Sequence, residues 1–377
     1  MTPAARISAA IEILDRILSG EAPEPALTNW GRGHRFAGSG DRHAIRDHVF
    51  DALRRRSSWA ALGGAMTGRG LMLGWAREAG VVEAIFTDAP HAPGPDQTPP
   101  RQATQAEALD LPDWLMPELQ ASLGVEFDAV AQAMQSRAPV FLRVNLARAT
   151  RDAAALSLQE EGILTLPREV PTALEVTQGA RKIQAAQAYG QGLVELQDLS
   201  SQAVIAALGP VKGLKVLDLC AGGGGKALAL AALGAQVTAH DANPRRMSDL
   251  GPRATRAGAR IATTDTPEAL APFDLILTDV PCSGSGSWRR DPMGKWALTP
   301  ERLAATLEVQ RAILDRAVAM LAPGGVLAYA TCSILSCENG AQVAAACDLL
   351  GLRLLDQHQF LPLSGGDGFF VARMNRL

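Results

Sequence analysis

One stretch of the chain restricts the fold more than any other. An apolar run, four consecutive glycines and an Ala/Leu-rich helical stretch follow one another between residues 216 and 233. Consecutive glycines let the backbone approach a ligand closely, and the following helix offers unpaired N–H groups at its N-terminus. A second apolar run, Gln236–Ala239, then ends at His240-Asp241. This order of strand, loop, helix and strand predicts a parallel βαβ unit.

The residues around this loop favour one kind of ligand. Asp241 follows the glycines by about 20 positions, as a ribose-binding carboxylate does in nucleotide-binding sheets. Lys226 is followed by Ala227, whereas a P-loop needs Ser or Thr there to hold magnesium. The loop therefore favours a nucleoside cofactor without a triphosphate, and S-adenosylmethionine is one. From about residue 191 onward strands alternate with helices, which predicts an α/β domain with a mostly parallel, Rossmann-like sheet.

Two cysteines each follow an apolar, strand-like run. Cys282 lies in the sequence DVPCSG at residues 279–284, and Cys332 lies in YATCS at residues 329–333. Because the carboxyl ends of neighbouring parallel strands form the ligand crevice, two such thiols can converge on one substrate. A thiolate is a strong nucleophile near neutral pH, and a second thiol can move protons or resolve a covalent intermediate. The sequence therefore predicts a paired-thiol active site.

In order and spacing these motifs resemble those of the RNA cytosine-5 methyltransferases of the Sun family. The family's cofactor loop, roughly C-A-x-P-G-G-K-T, is matched by Cys220, Ala221, Gly224, Gly225 and Lys226. Its second signature, D-x-P-C-S-G-x-G, matches residues 279–286 and continues with WRRDP and KW up to residue 296. The third signature, T-C-S, matches residues 331–333.

The cofactor loop departs from the family pattern at two positions. Gly223 stands where the family has proline, and Ala227 stands where it has threonine. A glycine makes the loop more flexible, which predicts a lower cofactor affinity but leaves the backbone donors in place.

The resemblance implies an architecture of four parts. They are an all-helical, antitermination-factor-like RNA-binding domain (1–85), a linker with helices (86–137), a small α+β RNA-contacting subdomain (138–190) and a Rossmann-like methyltransferase domain (191–377). Five prolines between residues 87 and 101 indicate a linker or surface loop. Asp41 is predicted to cap the N-terminus of a helix that carries Ile45 and Val49.

The resemblance also implies a division of catalytic roles. Carbon 5 of cytosine is too poor a nucleophile to attack a methyl donor, so a thiolate first adds to carbon 6. Cys332 is the implied nucleophile, and Cys282 is the implied base or release group; a buried structural thiol is the alternative for each. Asp279 would hydrogen-bond the cytosine, or else only cap a turn. Lys226 would be a cation that bridges the cofactor loop and the active site, or else an exposed lysine.

S-adenosylmethionine is the implied cofactor. The predicted cofactor-binding residues are Cys220, Ala221, Gly222, Gly223, Gly224, Gly225, Lys226, Asp241, Asp265 and Asp279. Asp241 would bind the ribose hydroxyls and Asp265 would approach the adenine, although the sequence around Asp265 equally fits a turn. Cys220 is predicted to pack beneath the loop. No metal site is expected, because the cysteines from residue 332 to 347 lack a nearby His or fourth Cys.

The charge pattern bears on a nucleic-acid partner. A net charge of −3 argues against one, since binding to phosphates depends on Lys and Arg. Residues 32–56 nevertheless hold seven arginines against three acidic residues. This basic stripe is either a solvated helix surface or an RNA contact, and the resemblance favours RNA. The predicted RNA-binding residues are Arg54, Arg55, Arg56, Arg289 and Arg290.

Composition fits a cytoplasmic enzyme. Hydrophobic residues make up 47% of the chain, but no apolar run is long enough to span a membrane, and the N-terminus does not read as a signal peptide. Five cysteines, an odd number, indicate reduced thiols. The expectation is a monomer without an obligate protein partner.

The resemblance favours small-subunit ribosomal RNA as the substrate and leaves tRNA open. DNA is disfavoured, because DNA cytosine-5 methyltransferases carry the nucleophile in the Pro-Cys motif. The departures at Gly223 and Ala227 leave room for a different class of protein, an RNA-binding assembly factor without turnover.

Overall fold

The structure is a computed structural model that describes residues 1–376 of the 377-residue chain. Its internal contacts divide the chain into two compact units. The helical unit comprises Met1–Gln120, Gly124–Arg137 and Trp288–Ala297. The sheet unit comprises Ala121–Leu123, Ala138–Ser287 and Leu298–Leu377. Residues 288–297, predicted within the methyltransferase domain, thus pack in the helical unit; the other predicted domain boundaries stay predictions.

The sequence folds into helices throughout its first third and into alternating strands and helices thereafter. Within residues 1–376 the α-helices are α1 (Pro3–Leu18), α2 (Pro23–Gly33), α3 (Ser39–Arg54), α4 (Arg56–Gly63), α5 (Gly68–Glu78), α6 (Val82–Ile85), α7 (Gln105–Ala108), α8 (Met116–Leu123), α9 (Phe127–Met134), α10 (Arg151–Glu160), α11 (Gln187–Gly190), α12 (Leu199–Ala207), α13 (Gly225–Ala232), α14 (Leu250–Ala257), α15 (Pro292–Ala297), α16 (Pro300–Ala319) and α17 (Gly340–Leu350). The strands are β1 (Val140–Val144), β2 (Leu164–Pro167), β3 (Ala173–Gln178), β4 (Val194–Leu196), β5 (Lys215–Asp218), β6 (Gln236–Ala239), β7 (Ile261–Thr263), β8 (Phe273–Asp279), β9 (Leu321–Thr331), β10 (Leu352–Phe360) and β11 (Phe369–Arg376).

Helix α1 illustrates how local signals set the helical unit. The Thr2 side chain accepts a hydrogen bond from the Ala5 N–H at 3.1 Å, and Pro3 occupies the first helical position. Both features are typical of helix starts. The inner face of α1 buries Ile7 and Leu14 in a core that α3 and α5 share.

The start of α3 differs from the prediction. Gly38 is the residue that precedes the helix, and Asp41 lies inside its first turn. There Asp41 pairs with the amino group of Met1 at 3.2 Å and with Arg6 at 2.8 Å. The predicted N-cap role of Asp41 is therefore wrong, because its carboxylate is engaged by cations from the start of α1. The proline-rich stretch 87–101 has no helix or strand, in line with the predicted loop.

Two sheets build the sheet unit. The smaller is antiparallel with the order β2-β3-β1-β4. The larger has the order β10-β11-β9-β8-β5-β6-β7, in which β9, β8, β5, β6 and β7 run parallel. The predicted Rossmann-like α/β fold is confirmed. The chain proceeds from β5 outward to β7 and then crosses to β8, so the topological switch point, where such sheets bind ligands, lies between β5 and β8.

Membrane insertion by a helix finds no support in this fold. Within residues 1–376, none of the helices combines the length and the apolar character needed to cross a bilayer.

Candidate active site

The glycine loop joins β5 to α13 at the switch point. Gly222 and Gly224 have positive φ angles of 50° and 78°, which side chains other than glycine rarely tolerate. A Cβ atom on Gly224 would also lie 2.2 Å from the Cδ1 atom of Leu250. The turn therefore needs glycine both for its backbone angles and for space. It leads directly into the N-terminus of α13.

The two departures from the family loop have structural counterparts. The Gly223 carbonyl accepts a hydrogen bond from the guanidinium of Arg253 in α14. Ala227 is completely buried in the core that the loop covers. Arg253 thus restrains the loop where the family uses proline, and a small residue fills the position of the threonine.

Asp241 lies beside this loop, just beyond the end of β6. Its Oδ2 atom accepts a hydrogen bond from the Gly222 N–H at 2.9 Å, and its Oδ1 atom accepts one from the Asn243 N–H at 2.9 Å. The carboxylate is therefore held against the loop by backbone donors. Asp265, in contrast, is exposed two residues after β7. The predicted contacts of both residues with the cofactor stay predictions.

Lys226 and Asp279 link the glycine loop to the end of β8. The Nζ atom of Lys226 donates to Oδ2 of Asp279 at 2.7 Å and lies 5.0 Å from the ring centroid of Phe369. Lys226 is only 8% exposed, so it is not the surface lysine of the alternative interpretation. Burial alone would lower its pKa, but attraction to Asp279 outweighs burial and raises the pKa. The surroundings of buried Lys226 therefore favour its charged form.

Asp218, which the sequence interpretation missed, ends β5 beneath the same pair. Burial, and then the negative charge of Asp279, raises the pKa of Asp218 to about 7. Burial also raises the pKa of the neighbouring Cys220 thiol to about 12, which keeps that thiol protonated and unsuited to nucleophilic attack. An acidic residue at the end of the strand before a glycine loop was the available signal for Asp218.

The register of β8 and β9 explains how the two predicted thiols meet. The strands are parallel neighbours, with Asp279 opposite Ala330. Cys282 comes three residues after Asp279, and Cys332 comes two residues after Ala330. Both side chains therefore leave the same edge of the sheet, and their Sγ atoms are 3.3 Å apart.

The surroundings shift the pKa values of the two thiols in opposite directions. A hydrogen bond from Cys282 lowers the pKa of Cys332, and the positive charge of Lys226 acts in the same direction. The same hydrogen bond, together with burial, raises the pKa of Cys282, and the charge of Glu338 adds to the rise. Negative charge is thus favoured on Cys332 and disfavoured on Cys282. The arrangement therefore favours Cys332 as the thiol that loses its proton and Cys282 as the one that keeps it.

A buried carboxylate, Glu338, ties the two cysteine loops together. Its Oε1 atom accepts from the Ser283 N–H at 2.8 Å and from the Gln310 amide at 3.1 Å. Its Oε2 atom accepts from the hydroxyls of Ser283 and Ser333. Because each serine follows one of the two cysteines, these bonds fix the distance between the thiols. Sequence reasoning missed Glu338, whose only signal was an acidic residue shortly after the third signature.

The predicted RNA-binding arginines do not form one surface. Arg54 is 6% exposed, and it donates to the Arg289 carbonyl at 2.6 Å and to Asp51 at 2.7 Å. Arg289 is 5% exposed and donates to the Arg137 carbonyl at 3.2 Å. The assignment of Arg54 and Arg289 to an RNA-binding surface is therefore corrected, since both guanidinium groups lie inside the helical unit and hold backbone carbonyls.

The other three predicted RNA contacts have mixed surroundings. Arg55 pairs with Glu78 at 2.6 Å, and the Arg56 guanidinium lies 5.2 Å from the ring centroid of Trp296. Arg290 is exposed. RNA binding by these three residues stays a prediction.

Comparisons with known proteins match most of the chain. A family model described as 16S rRNA methyltransferase RsmB/F matches residues 205–375. A model of the ferredoxin-like domain of RsmF/B-like methyltransferases matches residues 111–182. These matches cover three of the four strands of the small sheet, β1 to β3, and nearly the whole of the large sheet.

Two relatives and one solved structure illustrate the similarity. Ribosomal RNA small subunit methyltransferase B of Citrobacter koseri is 36% identical over 283 residues, which are 70% of this chain and 66% of that protein, slightly less than two thirds of its length. The protein of the same name from Xylella fastidiosa strain Temecula1 is 34% identical over 326 residues, 80% of this chain and 74% of that protein. The crystal structure of PH0851 superposes with a TM-score of 0.78 at 20% identity, over 100% of this chain and 99% of that chain, and shows the shared fold.

Proposed function

Because the chain belongs to the RsmB/F family of 16S rRNA methyltransferases, we propose that it methylates carbon 5 of a cytosine in RNA with S-adenosylmethionine as methyl donor. Small-subunit ribosomal RNA is the proposed substrate, in keeping with the names of its relatives. The observation that carries the proposal is the pair of thiols 3.3 Å apart at the ends of two neighbouring parallel strands.

The chemistry of the cleft fits the cofactor. Bound S-adenosylmethionine supplies an electrophilic methyl group on a positively charged sulfur. Gly222 and Gly224 give the loop its tight, glycine-specific turn, and the carboxylates beyond the strand ends, Asp241 and Asp279, suit a cation and ribose hydroxyls. The same carboxylates would repel a polyphosphate. These residues would therefore hold a nucleoside with a positively charged group.

Cys332 begins the reaction on the base. Its thiolate adds to carbon 6 of cytosine, which gives carbon 5 the electron density that methyl transfer requires. Asp279, which ends β8 three residues before Cys282, would hydrogen-bond the edge of the base. The cation of Lys226 stabilises Asp279 and lowers the pKa of Cys332 in the resting site.

Cys282 acts after the methyl group has been transferred. The thiolate of Cys332 is what holds the proton on Cys282, since the hydrogen bond between them is the main reason for the raised pKa of Cys282. Once Cys332 has become a thioether, its negative charge is gone and the pKa of Cys282 falls. Once its own thiol proton has passed to water, the Cys282 thiolate can accept the carbon 5 proton, while the electrons of the carbon–hydrogen bond restore the double bond between carbons 5 and 6 and those of the carbon–sulfur bond return to Cys332.

The alternative of a non-catalytic assembly factor has less support. It rested on Gly223 and Ala227, but Arg253 restrains the Gly223 carbonyl and Ala227 packs in the core. The site keeps both thiols, the buried cation and its carboxylate.

The proposed setting is the cytoplasm. Two thiols at this distance need a reducing compartment to stay reduced. A monomer suffices for the proposed reaction, because every proposed catalytic side chain belongs to the sheet unit of one chain.

Two cysteine variants test the proposal. With radiolabelled S-adenosylmethionine and 16S rRNA, the unmodified protein should transfer methyl groups, and Cys332→Ala should reduce transfer by roughly 10⁴-fold or more, as loss of a nucleophile does. Cys282→Ala should still add to the base but release it slowly, so a protein–RNA adduct should accumulate on denaturing gels and disappear after RNase treatment. Cys347→Ser, in α17 and outside the proposed site, is the matched control; it should transfer methyl groups as the unmodified protein does and trap nothing.

Other outcomes would change the proposal in defined ways. An adduct trapped by Cys332→Ala but not by Cys282→Ala would make Cys282 the nucleophile. Transfer to tRNA instead of 16S rRNA would replace the substrate and keep the chemistry. No transfer to any RNA by the unmodified protein would refute the enzymatic function.

A further inference from the structure

The arginines of the basic stripe divide into two groups in the helical unit. Arg54 and Arg55 are engaged, the first with a backbone carbonyl and the second with Glu78. Arg32 and Arg35, at the end of α2 and just after it, are exposed and form no ion pair within residues 1–376. Arg42 is also exposed, and only its Nε atom is engaged, with the Ala37 carbonyl at 2.9 Å. Phosphate-binding capacity is therefore concentrated around the α2–α3 connection.

An exposed aromatic stack lies at the same connection. The His34 ring stacks on Trp30 with centroids 4.3 Å apart and an interplanar angle of 12°, and Phe36 meets His34 edge to face at 5.7 Å. Trp30 is buried, and its Nε1 atom donates to Glu12 at 3.1 Å. Phe36, in contrast, is 72% exposed. A buried anchor thus supports an aromatic surface that is open to solvent.

Trp30 lines two cavities. One has a volume of about 790 Å³, and the aromatic stack lines it together with Glu12 and Pro90. The other has a volume of about 400 Å³ and is lined by Arg32, Arg42 and His43. An apolar cavity with an aromatic wall is therefore adjacent to a basic one.

We propose that this α2–α3 corner binds an unpaired nucleotide of the RNA substrate, an inference that rests on the proposed function. The base stacks against Phe36 and His34, and the flanking phosphates contact Arg32, Arg35 and Arg42. Aromatic side chains beside a cationic groove are the usual means of binding single-stranded nucleic acid.

The charges around the corner favour RNA over an acidic or apolar peptide. Glu24 is paired with Arg46 at 2.5 Å, and Asp41 is paired with Arg6 at 2.8 Å, so neither carboxylate offsets the unpaired arginines. Glu12 is the carboxylate within the aromatic cavity, where it can accept a hydrogen bond from an exocyclic amino group of a base. A nucleotide joins an aromatic base that carries such a group to an anionic phosphate, which matches an aromatic cavity beside a basic one.

Binding of a fluorescein-labelled, single-stranded oligonucleotide to the full chain tests this inference. Phe36→Ala should weaken binding about tenfold, the loss expected for one base–aromatic stack. The double variant Arg32→Ala/Arg35→Ala should lower the salt dependence by a slope of about 0.7 for each lost phosphate contact. Trp114→Ala and Arg101→Ala are matched controls, since Trp114 is a partly exposed aromatic residue and Arg101 is already paired with Glu107. Both controls should bind as the unmodified protein does.

Methyl transfer to 16S rRNA separates this inference from the proposed function. Phe36→Ala should raise the KM for RNA and leave the rate at saturating RNA unchanged, because the site of methyl transfer is intact. The inference alone would be overturned if the unmodified protein transfers methyl groups normally and both variants keep its oligonucleotide affinity and its KM. A protein partner would then be the remaining occupant of the cavity. Absence of transfer by the unmodified protein would instead overturn the proposed function.

Discussion

Two lysines, one in each unit, are almost completely buried, and their pKa values move in opposite directions. Lys226, in the sheet unit, donates to the Asp279 carboxylate at 2.7 Å, and this attraction raises its pKa despite burial. Lys295, in the helical unit, is 1% exposed and donates to the Arg54 carbonyl at 3.3 Å. Burial lowers the pKa of Lys295 to about 8; the charge of Asp110 opposes the fall without cancelling it, and the charge of Arg54 adds a smaller lowering. Burial alone therefore does not set the charge of a buried lysine; the nearest carboxylate does.

The difference separates a group suited to chemistry from one suited to packing. Lys226 keeps a full charge beside Asp279 and Cys332, where charge develops during the proposed reaction. Lys295 and Arg54 hold backbone carbonyls in the core of the helical unit, so their positive charges are used to join chain segments. Three predictions can break or sharpen this contrast.

The largest effect is expected from exchanging each lysine for methionine. Lys226→Met should reduce the rate of methyl transfer by roughly 10²–10³-fold, the usual loss when one charge-stabilising group leaves an active site. Lys295→Met should leave the rate within about twofold, because Lys295 belongs to the helical unit, outside the proposed catalytic machinery. Single-turnover methyl transfer on saturating RNA measures both. Equal losses of methyl-transfer rate in the two variants would mean that the different pKa shifts of Lys226 and Lys295 do not matter for catalysis.

The second prediction concerns the pH dependence of stability. Unfolded Lys295 keeps its proton up to its usual pKa of 10.5, whereas folded Lys295 loses it near pH 8. Between these values the unfolded state binds more protons, so the free energy of unfolding should rise with pH, by about 3 kcal/mol in total. Urea unfolding from pH 7 to 10 measures this rise. In Lys295→Met the rise should be absent; parallel curves for the two proteins would contradict the depressed pKa.

The smallest effect is expected at Asp241, a carboxylate that accepts hydrogen bonds from two backbone N–H groups and lies 3.5 Å from the Arg246 guanidinium. Asp241→Ala should weaken S-adenosylmethionine binding by about 1.5–3 kcal/mol, since a charged acceptor for the ribose is lost and the Gly222 N–H is left without its partner. Asp249→Ala, an exposed aspartate of the same unit, is the control. Calorimetry should show that Asp241→Ala binds S-adenosylmethionine at least tenfold more weakly than the unmodified protein, whereas Asp249→Ala binds it normally. Equal affinities in all three proteins would mean that Asp241 does not contact the cofactor.

Much of the sheet unit could be predicted from the sequence. The pattern placed β6 at Gln236–Ala239, where the structure has it, and predicted a strand-like run before Cys282, where the structure has β8. It also predicted that two thiols would converge, because parallel strands that are neighbours in a sheet end at the same edge. These features depend on residues close together in the chain, whose periodicity and turn residues determine local structure.

The arginine-rich helical unit was less predictable. The run Arg54–Arg56 is uniform in sequence, yet its first residue is buried, its second is paired with Glu78 and its third stacks on Trp296. Besides Asp51 in its own helix, Arg54 contacts the carbonyl of Arg289, 235 positions away, and no local pattern identifies that contact. The proposed RNA contacts are therefore Arg32, Arg35 and Arg42, which are exposed, instead of Arg54 and Arg289.

By itself the sequence determined the family motifs, the α/β fold and the strand ends that carry the thiols, because backbone hydrogen bonding and hydrophobic periodicity are local properties. The tertiary structure alone decided which charges are buried and which groups they contact. Lys226 contacts a carboxylate and Lys295 a backbone carbonyl, whereas Glu338 accepts hydrogen bonds from the two serines that follow the cysteines. The reason is physical. A buried charge takes its properties from the few groups within hydrogen-bonding distance, and packing brings those groups from distant parts of the chain.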